Sequence, residues 1–244
     1  MATTARKSAP LGGYINRLCK TQFSYLVPYF RKLIWSHRQI YWLYMRWRGG
    51  MVNAEQDKFS FWIDGYPRSA NTFISNSLQL SFPDKVIRSH SHSPFLPIAG
   101  IRKGLPGIFV IREPIEAISS YIVMTGHADV TAISFYIDFH RTIVKLVDQI
   151  YVADFRRVTT SIDEVISNFC EFFKLTNPEN LGNLEERAFD LISKSYVTTS
   201  KLGKINPKVV AKPDARRAME IDLIKTRLSE NPKLAKKLQL CREL

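Results

Sequence analysis

The chain has 244 residues, 45% of them hydrophobic and 12% aromatic, which suffices to bury one sizeable core and excludes an intrinsically disordered protein. Its three cysteines, Cys19, Cys170 and Cys241, stand far apart with no CxxC pair, a pattern that argues against a disulfide framework or zinc site and for a reducing, cytoplasmic setting. The formal net charge of +13 is unevenly spread. Residues 1–58 carry ten basic side chains against two acidic ones, a net +8, and residues 201–244 carry twelve against five, a net +7. The middle is close to neutral, so the termini are expected to meet something anionic: a polyanionic substrate, lipid head groups or nucleic acid.

In chain order, residues 1–58 read as a basic, aromatic, helical arm, and residues 59–244 as the body of what is a single domain overall. The run "TQFSYLVPYFRKLIWSHRQIYWLYMRW" is interrupted by Arg31, Lys32, His37 and Arg38, so it falls short of the roughly 20 apolar residues that span a bilayer. No signal peptide or span is predicted. The Trp, Tyr, Leu and Arg of residues 14–48 suit either a helix lying in a membrane interface or one packed on the core.

"FSFWID" (59–64) reads as a strand, and "NTFISNSLQLSF" as a helix whose face holds Phe73, Ile74, Leu78 and Phe82. "KVIRS" (85–89) and "GIFVI" (107–111) read as further strands, with Pro114 in the first turn of a helix through "IEAISSYIVM". A longer helix is expected over 131–148 and a strand over "IYVADF" (150–155). Ser161 and Glu164 then stand at capping-box spacing ahead of a stripe of Ile162, Val165, Ile166, Phe169, Phe172 and Phe173. From about 179 onward the chain reads as interrupted helix, with "SKLGKINPKVVAKPDARR" as a basic loop. Strands alternating with helices predict an α/β fold: a central parallel sheet with helices on both faces.

In such a sheet, ligands sit at the carboxyl ends of the strands. Three stretches should meet there: "GYPRSANTF" (65–73), "SHSHSP" (89–94) and "REP" (112–114). Against the phosphate loop GxxxxGK[ST], Gly65 and Thr72 hold the first and last places, while Ala70 and Asn71 replace the second Gly and the Lys. Amides at a helix N-terminus still favour a phosphate, but the lysine that reaches a terminal phosphate is missing. Arg68 supplies a cation elsewhere in the loop. Arg112 at a strand end and Ser120 eight residues on offer a guanidinium fork and a hydroxyl to one further phosphate, although Arg112 could equally pair with Glu116 one turn on.

The combination of "YPRSANTF", "HSP" and "RxPxxAxxS", in that order and on those elements, resembles the sulfotransferases that use 3′-phosphoadenosine 5′-phosphosulfate (PAPS). The resemblance covers roughly residues 59–175. It implies a P-loop-like nucleotide-binding fold, transfer of a sulfuryl group from PAPS to an acceptor hydroxyl, release of 3′-phosphoadenosine 5′-phosphate (PAP), and no metal. It implies that Arg68 stabilises charge on the leaving oxygen, that Ser69, Ala70, Asn71 and Thr72 surround the 5′-phosphate, that Phe73 lies beside the adenine, and that Arg112 and Ser120 hold the 3′-phosphate. His92, two residues before Pro94, matches the family's general base, with His90 as the alternative. Lys201, in "SKLGK", is a loose match to a basic segment that closes over the 3′-phosphate. Asn71 and Phe73 depart from the family's commonest residues, and the acceptor stays open among carbohydrate, glycolipid and small hydroxylated metabolite.

Further expectations are a cytoplasmic protein, peripheral membrane contact through residues 14–48, no specific nucleic-acid partner, and an open oligomeric state. Two rival readings stand beside this one. A P-loop kinase or NTPase is disfavoured by Asn71 at the lysine place and by the lack of an evident acidic strand end for magnesium. A non-catalytic membrane or nucleic-acid binder would rest on the basic arm and would not need Arg112.

Overall fold

The computed structural model describes residues 58–179, 181–202 and 215–244, with the side chains of residues 196–202 outside that description. The N-terminal arm, save Lys58, and most of the predicted basic loop therefore lie outside the described residues.

Strand β1 (Phe61–Gly65) is followed by helix α1 (Asn71–Ser81), β2 (Ile87–Ser89), α2 (Phe95–Arg102), β3 (Gly107–Ile111) and α3 (Pro114–Thr125). Then come α4 (Asp129–Ile143), a 3₁₀ turn (Val144–Gln149), β4 (Tyr151–Asp154), α5 (Phe155–Thr160) and α6 (Ile162–Phe172). Helices α7 (Leu184–Leu202), α8 (Ala215–Glu230) and α9 (Pro232–Arg242) complete the described chain. The four strands form one parallel sheet in the order β2-β1-β3-β4, with Phe61 beside Ile87, Ile63 beside Ile108, and Ile108 beside Tyr151.

Alternation along the two central strands divides the core. Phe61, Ile63, Ile108 and Val110 pack on one face with residues of α1, α6 and α7. Trp62 and Phe109 pack on the other with residues of α2, α3, α4, α8 and α9. Both faces are covered, as near-continuous apolar strands require. From β1 the chain crosses over to β2 on one side and later returns to β3 on the other, which opens a crevice between the carboxyl ends of β1 and β3.

Four local readings are corrected. The helix expected over 131–148 is α-helical over Asp129–Ile143 and tightens into the 3₁₀ turn beyond. Ser161 does precede α6, but its side chain makes no capping bond, and Glu164 instead pairs with Arg157 at 3.4 Å. Of the predicted stripe, Phe172 is exposed, while Cys170 joins the buried face. Helices α2 and α5 were not foreseen; α5 is started by the Asp154 carboxylate, which accepts from the Arg156 and Arg157 amides.

The C-terminal helices consume part of their own positive charge. Lys225 and Arg227 of α8 pair with Glu116 and Asp129, each at 2.5 Å, and Arg242 of α9 pairs with Glu113 at 2.9 Å. These contacts dock α8 and α9 against α3 and α4. Among the described residues, no helix is long and apolar enough to cross a membrane.

Trp62 is fully buried and donates its indole N–H to the Leu105 carbonyl at 3.2 Å. Its ring fits only because Gly100 and Gly107 lack side chains: a Cβ at Gly107 would fall 1.7 Å from the ring. Gly107→Ala should therefore cost about 1–3 kcal/mol or more in urea unfolding.

His140 is a second probe of this layer. It stacks on Tyr136 with 3.8 Å between ring centres and donates from Nδ1 to the Tyr136 carbonyl at 2.8 Å, while Nε2 is buried without a partner. Burial draws its pKa down from 6.5 to about 4, only partly offset by the Tyr136 carbonyl. The unfolded chain then binds the proton first, so stability present above pH 6.5 is lost as the pH falls toward 4. Urea unfolding at pH 7 and pH 5 should show that wild type loses about 2 kcal/mol more than His140→Phe over this interval.

Candidate functional site

The loop from Gly65 to Ala70 leaves β1 and enters α1. Gly65 is confined, since a Cβ there would lie 2.6 Å from the Val110 carbonyl oxygen and 2.8 Å from Asn71 Oδ1. Asn71, at the lysine place of a phosphate loop, turns inward and donates from Nδ2 to the carbonyls of Gly65 (3.2 Å) and Tyr66 (3.3 Å). It braces the loop. Ala70, the residue before α1, adopts a left-handed conformation and places no side-chain cap on the helix. The first amides of α1 thus retain their attraction for an anion. Beside them the Ser69 hydroxyl is buried without a partner.

The loop after β2 folds over this one. Asp64, the penultimate residue of β1, is fully buried. One of its oxygens accepts from the amides of Gly65 (2.9 Å) and His92 (3.0 Å), and the other from the Ser91 hydroxyl at 2.5 Å. Burial pushes its pKa up to about 7, against the opposing pull of these donors. His92 Nδ1 lies 3.0 Å from the Gly65 carbonyl. A carbonyl only accepts, so Nδ1 carries the proton and Nε2 the lone pair.

His90 is held differently. Its Nε2 lies 2.9 Å from the Thr72 hydroxyl and its Nδ1 2.6 Å from that of Ser89, so both nitrogens are engaged by the protein. Although part of its surface reaches solvent, desolvation, and then the neighbouring His92, bring its pKa down to about 4. Six non-glycine residues among those described have positive φ, and four of them, Arg68, Ala70, His90 and His92, stand in these two loops. Backbone strain is concentrated where the loops meet, the distribution expected of a functional site.

The third segment closes the cluster from β3. Arg112 donates to the Arg68 carbonyl at 2.7 Å and to Glu116 at 3.3 Å, and its guanidinium lies 4.2 Å from the centre of the Phe155 ring. Burial lowers its pKa and Glu116 opposes that, so the group keeps its charge. Its Nε is buried without a partner. Arg68 in turn donates from Nε to the buried Ser120 hydroxyl at 3.3 Å. Arg68, Arg112 and Ser120 therefore form one cationic cluster at the switch point of the sheet.

No family model and no curated protein matches the chain. Among solved structures it is similar to mouse sulfotransferase SULT7A1 complexed with PAP, at 10% identity over 73% of this chain and 87% of that one, with a TM-score of 0.43. It is also similar to a sulfotransferase domain from the curacin biosynthetic pathway, at 12% identity over 72% of this chain and 99% of that one, with a TM-score of 0.42.

Of the residues singled out in the sequence, Arg68, Ser69, Ala70, Thr72, His90, His92, Arg112 and Ser120 are gathered at this one end of the sheet. Phe73 is not with them: its ring is buried in the opposite core, 4.8 Å from that of Phe189. Lys201 lies in the last turn of α7, its side chain outside the described residues. Lys225 of α8 reaches the Arg112 region through the Glu116 carboxylate that both of them contact. Asp64 was missed, and with it the acidic strand ends supplied by Asp64 and Asp154; both carboxylates are engaged by local donors. A carboxylate inside the apolar run "FWIDG" was the available signal, since burial there demands polar partners.

Gly65→Ala forces the loop off Val110 and Asn71 and should weaken pyrophosphate binding by about tenfold or more in calorimetry, because a loss of about 1.4 kcal/mol at the amide cradle suffices for that.

Proposed function

We propose that this protein is a sulfotransferase that moves a sulfuryl group from PAPS to an acceptor hydroxyl and releases PAP. The observation that carries the reading is the meeting of the "YPRSANTF" loop, His92, and the Arg112–Ser120 pair at the switch point of a parallel sheet, the arrangement that the sequence resemblance requires. The site fits a doubly phosphorylated nucleotide. The uncapped start of α1 and the orphaned Ser69 hydroxyl suit a 5′-phosphate, and the orphaned Nε of Arg112, linked to Ser120 through Arg68, suits a second phosphate.

PAPS, when bound, supplies the sulfuryl group and a leaving phosphate oxygen. The chain's own part is positioning, charge and proton transfer. Ser69 and the amides through Thr72 hold the 5′ end. Arg112 and Ser120 hold the 3′-phosphate, which competes with Glu116 for the guanidinium. Arg68 stays charged and neutralises the leaving oxygen without donating a proton. His92 takes the acceptor's proton on Nε2 as the new bond forms, because Nδ1–H is committed to Gly65. His90, with both nitrogens bonded, steadies Thr72 and leaves the base role to His92.

Asn71, bonded into the loop's own carbonyls, counts against the reading as a kinase or NTPase. The acceptor in this proposal is a carbohydrate, glycolipid or small hydroxylated metabolite. A cytoplasmic location and contact of residues 14–48 with a membrane surface belong to the same proposal.

Two variants test these roles. Arg112→Ala should weaken PAP binding about 10- to 100-fold in calorimetry, the range of a lost charged hydrogen bond, and barely change AMP binding; equal losses contradict the 3′-phosphate role. His92→Ala should lower kcat by about 10²- to 10⁴-fold and leave PAP affinity intact, and retained turnover would move the base elsewhere.

A further inference from the structure

We propose that Asp64 is a positioning residue for His92, holding that side chain in the tautomer that accepts a proton on Nε2 and stabilising the imidazolium that results. The inference rests on His92 being the base of the proposed reaction.

Three observations carry it. First, Asp64 fixes the His92 backbone directly, through the 3.0 Å bond from its amide. That backbone is strained, with His92 at φ 47°, so it needs an external hold to stay where it is. Second, the same carboxylate oxygen lies 3.7 Å from His92 Nδ1, while Nδ1–H points its bond at the Gly65 carbonyl 3.0 Å away. The carbonyl sets the tautomer, and the carboxylate adds charge beside the proton that makes the ring a cation. Third, Asp64 is buried completely, whereas the His92 side chain is 30% exposed. The carboxylate therefore acts at low dielectric on a ring that still reaches the crevice.

The proton balance is simple. The acceptor hydroxyl loses its proton to Nε2, the ring becomes positive, and Asp64, whose burial-raised pKa of about 7 is drawn down by that new cation beside it, supplies the compensating negative charge without itself receiving the proton. Two histidines face this cluster, His92 from the same loop and His90, whose ring lies 5.8 Å from it. His90 is already neutral at neutral pH and does not compete. Ser91, which donates to Asp64 and accepts from the Ser93 amide, keeps the carboxyl oriented.

A loop brace alone would predict a loss of stability and nothing more. Asp64→Asn separates the two roles, because the amide oxygen still accepts from Gly65 and His92 and its NH₂ can donate to Ser91, while the charge is gone. The His92 ring should be followed by nitrogen NMR across pH in the wild-type chain and in Asp64→Asn, assigned with His92→Gln and His90→Gln. The expected result is a His92 pKa lower by about one unit or more in Asp64→Asn, since an opposite charge within 4–6 Å shifts a pKa by about 1–3 units. The acid limb of kcat/KM should move down with it, the plateau should fall about tenfold or more, and the thermal shift caused by PAP should stay the same. An unchanged His92 pKa and acid limb overturn the proposal. If Asp64→Asn fails to fold, Ser91→Ala should shift the same two readouts in the same direction by less, and no shift there overturns it too. The NMR titration is read without PAP, so failure of the wild type to bind PAP or transfer sulfate strikes the proposed reaction, while loss of the Asp64–His92 coupling strikes this inference.

Discussion

The site depends on the central position of β1, paired in parallel along both edges. A strand so placed has no solvent face, so Phe61, Trp62 and Ile63 are buried among side chains of two helical layers. Its C-terminal end is the one place where the chain can turn polar, and there the flanking connections must leave in opposite directions. One crevice results, and the loops after β1, β2 and β3 all border it. The glycines that seat Trp62 and the Val110 carbonyl that limits Gly65 are consequences of the same crowding.

At that end the protein trades stability for preparedness. Four residues with positive φ, a fully buried carboxyl, and buried polar atoms on Ser69 and Arg112 without partners are each unfavourable in isolation. They are tolerated because Asp64, Asn71, Ser91 and Glu116 tie the loops to one another. Glu116 is the most suggestive of these ties, for it holds Arg112 on one side and Lys225 of α8 on the other. The C-terminal helices thereby reach the Arg112 end of the crevice through a shared carboxylate.

Much of this architecture was legible in the sequence, because the apolar runs at 59–64 and 107–111 and the helical spacing after them reflect burial that the fold must satisfy. The bounds of "GIFVI" and the start of α3 at Pro114 follow from local chemistry and were placed correctly. Helix α2 was not, since two prolines in "SPFLPIAG" read as a loop while Pro94 and Pro97 in fact stand before and within its first turn. The capping box failed: Ser161 closes α5 through its amide, which donates to the Arg157 carbonyl, and its hydroxyl makes no bond to the amides of α6. At the site, the convergence of Arg68, His92, Arg112 and Ser120 was foreseen from spacing and resemblance. The inward turn of Asn71, the burial of Phe73 and the part played by Asp64 depend on packing between distant segments, which local pattern does not encode.

The central claim is that the crevice recognises a nucleotide by two separate phosphates. Thermal unfolding of the full chain with PAP, with AMP, and with ATP plus magnesium, each at the same concentration, tests it most directly. At about 100 times its dissociation constant PAP stabilises by about 2.7 kcal/mol, a rise of about 5–11 °C in the midpoint for a chain of this size. The account predicts that shift for PAP and much less for AMP or for ATP with magnesium. A larger shift with ATP and magnesium, or none with PAP, would contradict it.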